Sequence, residues 1–94
     1  MTSEWKYEYS ELLTKKLKKL KKRGPHQLEI ILKKRDDVKA KIAMNPDHFK
    51  NLSNELSEFK RVHIDKHFVL TFKVDKQSKT VHFEDYDHHD NIYD

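Results

Sequence analysis

The chain has 94 residues and no cysteine, and its charged side chains (38%) outnumber its hydrophobic ones (35%). Domains usually run to about 100 to 150 residues, so the length predicts one small domain over residues 1–94 with a thin core, and excludes a multidomain enzyme. The absence of cysteine excludes a disulfide framework, a thiolate zinc site and a thiol nucleophile, leaving His, Asp and Glu as the only metal ligands.

Twenty Lys+Arg against sixteen Asp+Glu give +4, but the charge is divided unevenly. Residues 1–50 hold fourteen basic and seven acidic groups, and residues 51–94 hold six and nine. A basic front half suits a polyanion or an acidic partner, and it equally suits a solvated helix face. One glycine and two prolines are too few for a flexible linker. There is no run of roughly 18 apolar residues and no basic-then-apolar leader, so a cytoplasmic protein without a membrane partner is expected.

Trp5, Tyr7 and Tyr9 alternate with Lys6 and Glu8, the period of a half-buried strand. Ser10 is placed to cap a helix whose apolar stripe is Leu13, Leu17 and Leu20, with Lys15, Lys16, Lys18, Lys19, Lys21 and Lys22 assigned to the solvent face. Gly24-Pro25 ends that helix and starts a second, with Leu28, Ile31, Leu32, Val38 and Ile42 inward, which Asn45-Pro46 stops. Residues 47–57, with Phe49, Leu52 and Leu56, show no period and predict a loop packed on the core.

From Phe59 the period becomes two. Val62 and Ile64, then Phe68, Leu70, Phe72 and Val74, then Val81 and Phe83 mark three strands joined by short polar connections, an antiparallel meander. The predicted fold is α+β: an N-terminal strand and a helical hairpin packed on a mainly antiparallel sheet with a C-terminal three-stranded meander. The face of the sheet away from the helices should stay open and display Arg61, His63, Lys73 and one of His82 or Glu84.

The last eleven residues, 84–94, are the richest in chemistry. They can be read as a metal site from His82, Asp87, His88, His89 and Asp90, as an acid/base site of His and Tyr, or as a solvated polar terminus; no HExxH-type spacing favours a metal. Arg61, His63, Lys66 and His67 lie on or beside the first hairpin of the meander. If the C-terminal cluster returns to that same face, a phosphodiester would sit between cations and His/Tyr groups, the parts that metal-independent RNA cleavage needs: a base for the 2′-OH, cations for the phosphorane and an acid for the leaving oxygen. The alternative is that Arg61 and His63 only balance Glu58, Asp65 or Glu84.

The order of elements, Asn45-Pro46, Leu56-Ser57-Glu58-Phe59-Lys60-Arg61-Val62-His63-Ile64, the strand from Phe68 to Val74 and the ending through Tyr93 resemble the RelE/ParE superfamily of type II toxin-antitoxin toxins over nearly the whole chain. The Leu-Ser-x-Phe run is similar to the YoeB branch and the His-x-x-x-Tyr ending to RelE. The resemblance implies a ribosome-dependent mRNA endonuclease, using no metal and no cofactor, that inhibits translation and is neutralised by a cognate antitoxin on the helical stripe or a sheet edge. Its implied catalytic residues are His63, His88, His89 and Tyr93, with Arg61, Lys66, Lys73 and Lys50 as RNA and phosphate contacts. The chain departs from the family at Val69, where the strand usually has an arginine, and at Phe72, where the strand's aromatic lacks its hydroxyl. The Val69 departure points to an alternative: a non-catalytic protein of the same fold, either a gyrase inhibitor or a relic that binds only antitoxin.

Overall fold

The computed structural model describes residues 4–51, 58–88 and 90. The order is β1 (Lys6–Tyr9), α1 (Glu11–Arg23), α2 (Pro25–Met44), β2 (Lys60–His63), β3 (Phe68–Asp75) and β4 (Thr80–His88). The sheet is ordered β1-β4-β3-β2, with β2, β3 and β4 an antiparallel meander and β1 added parallel to β4. The predicted α+β architecture is present.

Each predicted helix signal acts where the sequence put it. Ser10 is extended and its Oγ accepts from the Leu13 N–H at 3.0 Å, while Gly24 closes α1 with its N–H on the Leu20 carbonyl and leads into Pro25. Leu13, Ile31, Val38 and Ile42 are buried against Leu70, Phe72, Val81 and Phe83. Phe49, in the predicted loop, packs edge-on against Phe72 at 5.3 Å; Leu52 and Leu56 lie outside the described residues.

One helix assignment needs correction. Lys16 does not belong to the solvent face of α1: three residues after Leu13 and four before Leu20, it lies on the apolar stripe itself. Its Nζ reaches β4, donating to Asp85 Oδ1 at 2.7 Å and to the Tyr86 carbonyl at 2.9 Å, with Asp87 Oδ2 at 3.6 Å. The need for it comes from strand lengths. β1 pairs only with Thr80 to Phe83, so the rest of β4 has a bare edge on that side. Ser10 meets the edge with its N–H on the Phe83 carbonyl and its Oγ on the Glu84 carbonyl, and Lys16 takes the next exposed acceptor.

The last strand is longer than the alternation predicts. Val81 and Phe83 fit a period of two, but the next inward residue is Tyr86, three positions on, because a bulge places Asp85 opposite Thr71 while Phe83 stays opposite Phe72. Glu84 is the extra residue, and it moves every later side chain to the opposite face. Much of the presumed polar ending is therefore strand.

Candidate active site

The turn between β2 and β3 is shaped by Asp65. Its Oδ1 accepts the backbone N–H groups of His67 at 2.8 Å and Phe68 at 3.1 Å, and the Ile64 N–H closes onto the Phe68 carbonyl at 2.9 Å. These bonds, the His67 N–H first, hold the Asp65 carboxyl below its usual range. The other oxygen, Oδ2, accepts from Gln27 Nε2 at 3.1 Å, and the same amide nitrogen donates to the Tyr86 hydroxyl at 2.8 Å. Burial raises the Tyr86 phenol above its ordinary value, so it stays protonated near neutral pH.

Around this turn the rings collect. Phe68 stacks on Tyr86 at 5.0 Å, His88 meets the edge of Phe68 at 5.5 Å, and the imidazoles of His67 and His88 stack at 5.8 Å with 12° between their planes. His88 Nδ1 has two partners in Asp90, the backbone N–H at 3.3 Å and Oδ2 at 3.5 Å. A neutral Nδ1 accepts the first, and a protonated one donates to the second. Beside the rings, Lys16, Lys19, Leu20, Arg23, Phe68, Tyr86 and Asp87 line an open surface groove of about 270 Å³.

On the outer face the register runs Arg61-Thr71-Asp85 in one row and His63-Val69-Asp87 in the next. Arg61 and His63 on β2 thus share rows with carboxylates on β4, two strands away, and Lys16 pairs with those carboxylates from the strand edge. The face is not open throughout, as the alternation suggested: between these groups Val69 is 0% and Thr71 5% exposed, and the Arg61 Nε is buried. Val69, where the family usually has arginine, thus occupies an inaccessible position.

The implied site residues divide into two groups. His63, Lys66 and His88 gather at the turn end with His67, although the bulge sends His88 to the helix side of the sheet and leaves Asp85 and Asp87, not His88, on the face shared with His63. Lys73 lies four residues along β3 from Val69, about 13 Å at a strand's rise, where it pairs with Glu58 at 3.2 Å and sits over the Phe59 ring. Lys50 is exposed just before Asn51, which bridges to Lys60 at the start of β2, also away from the histidines. His82 pairs across to Glu8 at 3.3 Å on the outer face. His89 and Tyr93 lie outside the described residues.

Gln27 and Lys16 escaped the sequence reading because each looks like an ordinary polar residue of a helix, and only the packing shows what it reaches. His67 was visible beside the hairpin, but nothing in one dimension paired it with His88. Among the described residues no group of three His, Asp or Glu side chains is placed to hold a metal ion, and no helix is long and apolar enough to cross a membrane.

No protein-family model matches the sequence. A chain of Methanocaldococcus jannaschii named "Putative toxin RelE4" is 53% identical over 89 residues, spanning 95% of this chain and 90% of its own length. The chain belongs to the RelE/ParE superfamily of toxins. Among solved structures, a metal-bound toxin from Helicobacter pylori superposes with a TM-score of 0.71 at 22% identity, covering 97% of this chain and all of its own. The RelBE2 toxin-antitoxin complex of Mycobacterium tuberculosis gives 0.67 at 18% identity, over 93% of this chain and 100% of that one. At these identities the structures establish the RelE-type fold alone, and the membership rests on the sequence relative.

Proposed function

We propose that this RelE-type toxin is a ribosome-dependent mRNA endonuclease that inhibits translation in the cytoplasm. The carrying observation is the convergence of His63, Lys66, His67 and His88 at one end of the sheet beside the cationic end of α1. Cleavage through 2′-OH attack needs one group to take a proton, one to return it and cations for the phosphorane charge. The stacked pair His67 and His88 offers two exchangeable imidazoles. Lys66 and the Lys19/Arg23 end of α1 offer charge beside the imidazoles, and Arg61 and Lys73 offer it on the outer face beyond them. His89 and Tyr93 complete the candidate set by family resemblance, which implies no cofactor.

The assay is a cell-free translation reaction in which message ends are mapped. Cleavage within translated mRNA is expected with the wild type and reduced by about 10²-fold or more with His88→Ala, the scale of general acid–base catalysis. Intact message at concentrations that saturate the ribosomes overturns the reading. Val69 favours one second reading, a non-catalytic member of the fold, since a guanidinium is absent where the family contacts phosphate. Inhibition of gyrase supercoiling without mRNA cleavage would select a gyrase inhibitor; no effect in either assay would leave an antitoxin-binding relic.

A cognate antitoxin belongs to either reading, supported by the toxin-antitoxin complex among the structural relatives. The groove between the helices, about 330 Å³ and bordered by Tyr9, Leu17, Leu28 and Leu32 with Lys18, Lys21 and Arg35 around it, suits an acidic amphipathic segment. Removing Lys18 and Lys21 together should weaken antitoxin binding in a titration.

A further inference from the structure

We infer that Gln27, at the start of α2, is a positioning residue that sets the geometry of the His67/His88 pair; the catalytic part of this inference rests on the RNA-cleavage reading above. Asp65 only accepts when ionised, so the Gln27 amide must turn its NH₂ toward it, and that nitrogen has two hydrogens to give. One goes to Asp65 Oδ2 at 3.1 Å and the other to the Tyr86 hydroxyl at 2.8 Å. A single side chain of the helical layer therefore ties the β2-β3 turn to β4.

Both imidazoles hang from these two anchors. Asp65 Oδ1 fixes the His67 and Phe68 N–H groups. Tyr86 carries the Phe68 ring against its own, and Phe68 abuts His88. The separation of His67 from His88, 5.8 Å between nearly parallel rings, is set first by the pairing of Phe68 with His88 across β3 and β4, and Gln27 braces the turn and Tyr86 on either side of that pairing. His67 is exposed on a turn and His88 closes a strand, so neither position is fixed by core packing, and proton transfer depends steeply on such placement. The hydrogen bonds of the Gln27 amide go to Asp65 and Tyr86, so it acts on the imidazoles through them.

The test uses the full chain with Gln27→Leu, which keeps the side chain's bulk without its donors, and Gln27→Glu, which can accept from the Tyr86 hydroxyl where the amide donated to it, but repels Asp65. The expected result is that imidazole NMR signals of both His67 and His88 shift, while those of His48 and His82 do not. In the translation assay kcat should fall by about five- to a hundredfold, the scale of a sub-ångström to 1 Å misplacement, with KM within about twofold because no cation is lost. If Gln27→Leu does not fold, Tyr86→Phe, which removes one hydroxyl, provides the same readouts. Unchanged His67 and His88 signals in a folded variant overturn the inference, as does a loss confined to KM. The NMR readout needs no activity: a wild type that leaves message intact overturns the function proposed above, whereas a silent spectrum overturns the role of Gln27.

Discussion

Replacing Lys16 with methionine isolates what one misassigned lysine contributes. Methionine keeps an unbranched apolar stem on the α1 stripe and removes only the ammonium. A hydrogen bond to a charged group contributes about 1.5–3 kcal/mol when shielded, and an exposed ion pair about 0–1 kcal/mol. Lys16 is 31% exposed and Asp85 23%, which places the pair between those limits, and the Tyr86 carbonyl on the strand edge loses its protein donor as well. The expected cost is about 1–2 kcal/mol. For a domain of this size each kcal/mol moves the Tm by about 4–8 °C. Thermal and urea unfolding followed by circular dichroism should show the loss, and a double-mutant cycle with Asp85→Asn should give a coupling of about 1 kcal/mol. Two uncompensated carboxylates would also stand on the face proposed above to bind RNA, so on that proposal apparent RNA affinity should fall most at low salt. A Lys16→Met protein within about 0.3 kcal/mol of wild type, or a coupling of zero, refutes the assignment of Lys16 to the β4 edge.

Further expectations use the same structure. Ser10→Ala loses both an N-cap and a bond to β4, and should cost about 1–2 kcal/mol in urea unfolding. Val69→Arg, restoring the family's usual residue, forces a guanidinium into a fully buried position; it should destabilise by more than about 2 kcal/mol and should not raise cleavage, measured by unfolding and by message mapping. Asp65 has a depressed carboxyl pKa, so the stability it lends is present above its unfolded value, about 3.9, and is lost as pH falls through its lower folded value. Protection of the His67 and Phe68 amides, taken as their exchange rates relative to the intrinsic rate at each pH, should fall in that acid window and stay constant between pH 5 and 8, and Asp65→Asn should abolish the acid step.

The sequence determined the elements where periodicity was unbroken. Leu13, Leu17 and Leu20, the Gly24-Pro25 junction, Asn45-Pro46 and the alternation from Phe68 to Val74 specify local structure through steric and hydrophobic preferences that act within a few residues, and they suffice for the α+β order. Charge placement was legible only in part. Five of the six lysines of α1 follow the simple face assignment, and Lys16 does not, because a flexible cationic stem can lie on an apolar stripe when a strand edge offers it acceptors. The site depended on tertiary structure most of all. A single extra residue at Glu84 inverts the facing of residues 85–88, turning Asp85 and Asp87 to the side of His63 and Tyr86 and His88 to the side of the helices. Alternation carries no information across such a bulge, since its phase is set by which ring the core accepts next, here Tyr86 against Phe68. Which residues are candidates for the chemistry was therefore written in the sequence, and which of them meet was decided by the register of β3 against β4.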